Sequence, residues 1–130
     1  MKLKDKVVIV TASTRGIGLA VTEACAKEGA VVYMAARNLE RAEKEAARLN
    51  NEGFKVRCVY NDASVPESYA SMAEEVAKNE GRIDVLVNNF GTSDPKRDLD
   101  LANTDADVFI DTVTLNLRAY LWQAKRYSDI

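Results

Sequence analysis

One pattern constrains this chain more than any other. Four times, a short apolar run of strand length is followed by a segment with helical periodicity. Val7-Val8-Ile9-Val10 has strand composition, and after a few small residues Leu19-Ala20-Val21 and Ala24-Cys25-Ala26 can only be helix. Ala30 to Ala36 is the second strand. Leu39 to Asn50 is a helix with Leu39, Ala42, Ala46 and Leu49 on one face and Arg41, Glu43, Lys44 and Glu45 mostly on the other. Phe54 to Tyr60 is the third strand, and Ser64-Val65-Pro66-Glu67 reads as a capping box opening a helix whose inner face is Tyr69, Met72, Ala73 and Val76. Ile83 to Asn88 is the fourth strand. Gly29, Gly53 and Gly81 each follow a helix, where a left-handed residue is wanted. Strict alternation of this kind predicts an α/β protein with a parallel sheet and right-handed crossovers.

Asn89 to Asn103 is a polar loop long enough to be functional. Thr104 to Asp107 caps a final helix that runs to Tyr127. Val108, Phe109, Ile110, Val113, Leu115, Leu117, Leu121 and Trp122 make it apolar around most of its circumference. Such a helix is expected to be covered on more than one side. The 130 residues, 47% apolar and 29% charged, suit one domain spanning 1–130. The net charge of −2, with basic and acidic residues interleaved, gives no basis for nucleic-acid binding. Neither a signal-peptide apolar region nor a membrane-spanning stretch is present, so the expectation is a cytoplasmic chain without a membrane partner. Cys25 and Cys58 lack CxxC spacing and the chain has no histidine, which argues against a metal set and predicts buried free thiols.

The chemistry begins where the first strand ends, in "TASTRGIG". A strand, a tight turn and a helix in succession aim backbone N–H groups and the positive end of the helix dipole at whatever sits in the turn, and the ligand that fits is a phosphate. The glycine spacing is Gly16-x-Gly18, with Ala12 where a dinucleotide fold places its first glycine. A P-loop is excluded because no Gly-Lys-Ser/Thr follows. About 20 residues further on, where an NAD-binding fold carries an acid for the ribose 2′-hydroxyl, this chain has Arg37. A guanidinium fork suits a 2′-phosphate, and Arg15 in the turn could close on the same group. NADP is therefore favoured over NAD, and an S-adenosylmethionine fold, which also wants an acid here, is disfavoured.

"TASTRGIG", "NDAS" after the third strand and "NNFG" after the fourth together resemble the short-chain dehydrogenase/reductase family, in register through the whole chain. The segment "NNFGTSDPKRDLDLANTD" resembles more narrowly the bacterial 7α-hydroxysteroid dehydrogenases, which oxidise bile acids. The resemblance implies a three-layer, doubly wound Rossmann-type sheet in the order 3-2-1-4, binding NADP(H). It implies that Thr11, Ser13, Thr14, Arg15, Gly16, Ile17 and Gly18 wrap the pyrophosphate, with Arg15 and Arg37 on the 2′-phosphate. Asp62 takes the adenine amino group, with Ala63 beside it among the cofactor contacts. Asn88, Asn89 and Gly91 fix the fourth strand end against the adenosine ribose and the sheet. Asn116 matches the family's helix asparagine, whose backbone carbonyl holds a water in a proton relay, a supporting catalytic role. Ala12 departs from the family's glycine.

In that family a serine and a Tyr-x-x-x-Lys pair complete the site. Here Tyr33 is followed four residues on by Arg37, Tyr60 by Ser64, Tyr69 by Ala73 and Tyr120 by Ala124. Two readings compete, with a designed or excised Rossmann scaffold kept for its fold as a third. The chain is the truncated, cofactor-binding part of an oxidoreductase acting on a small alcohol, ketone or steroid in its full-length form, without activity of its own. Alternatively it is a non-catalytic nucleotide-binding or self-associating module. In either case the fourth strand is left as an open edge, and together with the final helix it predicts a homo-oligomer.

Overall fold

A strand covered on both faces has no reason to alternate polar and apolar residues. Strand β1 (Val7–Thr11) is buried at all five positions. It lies inside a four-stranded sheet in the order β3-β2-β1-β4, parallel throughout. The computed structural model describes residues 1–89 together with 106, 107, 110, 111, 113 and 114. Strand β2 (Val31–Ala36) pairs with β1 from Val7↔Val31 to Thr11↔Ala35. Strand β3 (Lys55–Tyr60), on the outer side of β2, does alternate in part, with Val56 and Val59 buried and Lys55 and Arg57 exposed. Strand β4 (Val85–Val87) pairs with the other side of β1.

Helices α1 (Gly16–Lys27) and α2 (Leu39–Asn51) pack on one face of the sheet, where Ala26, Ala42, Ala46 and Leu49 join Val8, Val10, Val32, Met34 and Val56 in one core. Helix α3 (Glu67–Glu80) packs on the other, where Met72 and Val76 join Val7, Ile9, Tyr33, Ala35 and Val59. The division follows from handedness. The chain moves outward from β1 to β3 and then returns to β4, so a right-handed crossover must pass over the opposite face on the return. The expected three layers and strand order are therefore present.

Several boundaries differ from the sequence-based expectation, each for a local reason. Ala30 and Phe54 are not strand residues, because their N–H groups turn back to the helix carbonyls of Cys25 (3.2 Å) and Leu49 (3.3 Å). Together with Gly29 N–H to Ala26 O and Gly53 N–H to Asn50 O, these are Schellman closures, with both glycines left-handed as the sequence predicts. The fourth strand is three residues long rather than Ile83 to Asn88. At its start the Asp84 side chain, not a backbone carbonyl, takes the Val7 N–H. The expected capping box at Ser64 and Glu67 does not form. Pro66 occupies the cap position of α3 without a side-chain bond, and Ser64 turns back to donate to Asp62.

The two cysteines are half-buried rather than buried, and burial raises both thiols, Cys58 to about 11. Of the final helix, 106, 107, 110, 111, 113 and 114 are helical, with Ile110 and Val113 exposed. Val108, Phe109, Leu115, Leu117, Leu121 and Trp122 lie outside the described residues, as do Gly91 and Asn116. No helix among the described residues is long and apolar enough to cross a membrane.

Candidate functional site

All four strands of a parallel sheet end at the same rim, so whatever follows each strand is gathered there. After β1 comes the turn into α1, after β2 Arg37, after β3 Asn61 to Ala63, and after β4 Asn88 and Asn89. Strand β1 is the switch point, since the chain leaves it toward β2 on one side and returns to β4 on the other. Open α/β sheets bind ligands in the crevice at such a point.

The two sides of the crevice are stitched together at β1 and β4. The buried Thr11 Oγ1 accepts the Asn89 N–H (3.0 Å) and lies 3.4 Å from Val87 O, while Asn89 Nδ2 donates to the Ala12 carbonyl (3.2 Å). The turn itself is tight. Ala12 is left-handed at φ +50, as is Gly16 at +57. Gly18 allows nothing larger: a Cβ there would lie 2.6 Å from Asn89 Nδ2, 2.9 Å from Ser13 Cα and closer still to the Ala12 carbonyl oxygen.

The turn is also electropositive. Arg15 sits at the cap position of α1 with extended backbone and no side-chain bond to the helix, and no acid stands in the first turn. The leading N–H groups of α1 thus keep their positive partial charge. In the same turn Ser13 is fully buried, and its hydroxyl has no hydrogen-bond partner among the described residues. A buried polar atom without a partner is uncommon in a folded chain and costs stability. Thr14 is half-buried, and Ile17 presents an apolar side chain that is 74% exposed.

Across the rim, Arg37 is exposed at the end of β2. The Asp62 carboxylate is held below the ordinary range, first by the Ser64 hydroxyl (2.6 Å) and then by the Ser64 N–H (2.9 Å). Burial opposes that shift and the positive charge of Arg37 assists it. Both Ser64 bonds fall on Oδ1. Asp62 is held in place by a residue that sequence reasoning missed. The Ser68 hydroxyl accepts from Asp62 N–H (3.0 Å) and Asn61 Nδ2 (3.3 Å), and lies 2.7 Å from Val65 O and 2.9 Å from Asp62 O. A serine in the first turn of a helix is the one sequence feature that could have pointed to it. Ala63 is buried beside this network and Asn88 is exposed.

Among the described residues, then, the turn from Thr11 to Gly18 is joined to Asn89 by hydrogen bonds, and Asp62 lies within electrostatic reach of Arg37. No group of side chains suited to a metal ion occurs among the described residues.

A family model described as short chain dehydrogenase matches residues 6–129. The 7alpha-hydroxysteroid dehydrogenase of Clostridium sardiniense is 46% identical over 124 residues, covering 95% of this chain and 47% of that protein. The enzyme of the same name from Paraclostridium sordellii is 45% identical over 116 residues, covering 89% and 43%. The chain thus spans less than half the length of these relatives. Among solved structures, gox2181 superposes with a TM-score of 0.90 at 29% identity, covering 99% of this chain and 49% of that one. A metagenomic short-chain oxidoreductase in complex with NADP superposes with a TM-score of 0.86 at 26% identity, covering 99% and 57%.

Proposed function

Because the chain belongs to the short-chain dehydrogenase family, we propose that it is the NADP(H)-binding part of an oxidoreductase that moves hydride between NADP and a secondary alcohol or ketone, the substrate being a 7α-hydroxysteroid of the bile-acid type. The observation that carries the cofactor assignment is the turn after β1. A buried Ser13 hydroxyl with no partner among the described residues, two positions before the Arg15 cap of α1, is what a phosphate oxygen would satisfy. The rest of the rim fits the same group. Gly16 leaves open space where a side chain would stand, and Gly18 has no room for one.

In this reading the Ser13 hydroxyl and the leading N–H groups of α1 donate to the pyrophosphate. Arg15 and Arg37 neutralise the 2′-phosphate that distinguishes NADP from NAD. Asp62, ionised because Ser64 and Arg37 favour its charged form, accepts the adenine amino group through Oδ2, Oδ1 being occupied by Ser64. The bonds from Asn89 to Thr11 and Ala12 hold the crevice at one width. When bound, the nicotinamide supplies the hydride chemistry. The 130 residues contain no Tyr-x-x-x-Lys pair to exchange the alcohol proton, so this chain on its own binds cofactor without turning it over.

The steroid assignment is supported by the names of the two relatives at 45% and 46% identity. The assembly that goes with this reading is a homo-oligomer joined through the β4 edge or the segment from Thr104 to Tyr127. Val85 is 39% exposed on β4, and among the described residues no strand lies beyond it. Calorimetric titration of the chain with NADPH and with NADH tests the cofactor reading: tighter binding of NADPH is expected, and equal or absent binding of the two overturns it.

A further inference from the structure

We infer that Asn89 is a positioning residue whose side-chain amide clamps Ala12 in a left-handed conformation, so that the phosphate turn is held ready by the segment following β4 rather than by the flexibility of a glycine. The inference rests on the NADP(H) reading above for its functional consequence, but its structural half stands by itself. Ala12 is at φ +50, where a Cβ crowds the following carbonyl. The penalty corresponds to roughly a 5- to 30-fold bias against that conformation. Alanine has no polar side chain with which to offset it locally. The other described non-glycine residue at positive φ, Asp5, belongs to a type that tolerates the region.

What holds Ala12 must come from elsewhere in the fold, and among the described residues one side chain is hydrogen-bonded to it. Asn89 Nδ2 donates to the Ala12 carbonyl at 3.2 Å, and the Asn89 backbone N–H is pinned to Thr11 Oγ1 at 3.0 Å. The residue two positions past β4 therefore grips two successive residues, Thr11 and Ala12, from 78 and 77 positions away. The same amide borders one glycine of the motif. A Cβ at Gly18 would meet the Ala12 carbonyl oxygen first and Asn89 Nδ2 next, at 2.6 Å. Ala12, Gly18 and Asn89 thus form one unit, in which the carbonyl of the first, the missing side chain of the second and the amide of the third fit together.

The unit predicts opposite couplings in binding and in stability. Without the amide, Ala12 relaxes toward negative φ and the turn must be rebuilt when cofactor binds. With glycine at position 12 little rebuilding is needed. Asn89→Ala is therefore expected to weaken NADPH binding about fivefold or more beyond its effect in an Ala12→Gly background. In the cofactor-free chain the sign reverses. Asn89→Ala lowers the urea midpoint less in the parent than in the Ala12→Gly background, because relaxation of Ala12 offsets part of the lost hydrogen bond. Ala12→Gly alone raises the midpoint.

Equal effects of Asn89→Ala in both backgrounds, in binding and in midpoint, would assign Asn89 a merely structural role and overturn the inference. So would an Ala12→Gly midpoint at or below that of the parent. If Asn89→Ala does not fold, Asn89→Asp replaces it, since a carboxylate keeps the volume but cannot donate to the Ala12 carbonyl. Should the parent chain fail to bind NADPH, the cofactor reading falls while the denaturation series still decides the clamp.

Discussion

Asp84 and Val7 are joined twice: the Val7 N–H donates to Asp84 Oδ2 at 2.8 Å, and the Asp84 N–H donates to Val7 O at 2.9 Å. A side chain thus closes the parallel ladder at the entry to β1 and β4, opposite the rim that carries the site. The Asp84 carboxylate lies below the ordinary range, first because Arg82 forks onto it and then because of the Val7 N–H. A carboxyl whose folded value is lowered adds stability above its unfolded value, and that contribution is lost as pH falls through the folded one. Asp84→Ala should therefore lower the urea midpoint at pH 7, and the gap from the parent should close as pH drops below about 4. Parallel midpoint curves across that range would show that the double bond carries no ionic contribution.

In the proposed NADP(H) reading, Arg37 is the residue that chooses between cofactors. Arg37→Asp should shift preference from NADPH to NADH by about 1.5–3 kcal/mol, the range of a charge-assisted hydrogen bond. Titrations of the parent and of Arg37→Asp with both cofactors measure it, and an unchanged preference removes Arg37 from the 2′-phosphate.

Ser13 predicts a separation of stability from binding. Its hydroxyl is buried without a partner among the described residues, so Ser13→Ala should leave the denaturation midpoint of the free chain unchanged or raise it. The same substitution should weaken NADPH about tenfold or more, because a bond to an anionic oxygen is lost. A loss of stability without a loss of affinity would contradict the role given to Ser13.

The 130-residue chain should show no cofactor-dependent oxidation of 7α-hydroxysteroids or simple secondary alcohols above background. Following NADPH absorbance with purified protein is sufficient. Clear turnover would mean that a proton acceptor other than a Tyr-x-x-x-Lys pair operates here.

Self-association is tested by sedimentation equilibrium over a concentration series, for the parent and for Trp122→Glu. The parent should associate and the variant, carrying a charge in the apolar C-terminal sequence, should do so more weakly. A monomeric, folded parent would show that neither β4 nor that segment joins copies.

The alternation of apolar strand runs with amphipathic segments is a local property, and it determined the parallel sheet, the helix positions and the left-handed helix ends at Gly29 and Gly53, because strand and helix periods and the demand for positive φ are written in neighbouring residues. The rim residues were legible for the same reason, since each follows its own strand directly. The tertiary structure alone decided where β4 begins, because the Asp84 carboxylate meets Val7 across 77 positions. It also replaced the Ser64 capping box by a Ser64–Asp62 pair over a Ser68 hub, a choice among hydroxyls that the sequence pattern does not rank. The conformation of Ala12 belongs with these. Propensity places alanine at negative φ, and it takes the opposite sign where Asn89, brought alongside by pairing of β4 with β1, holds its carbonyl.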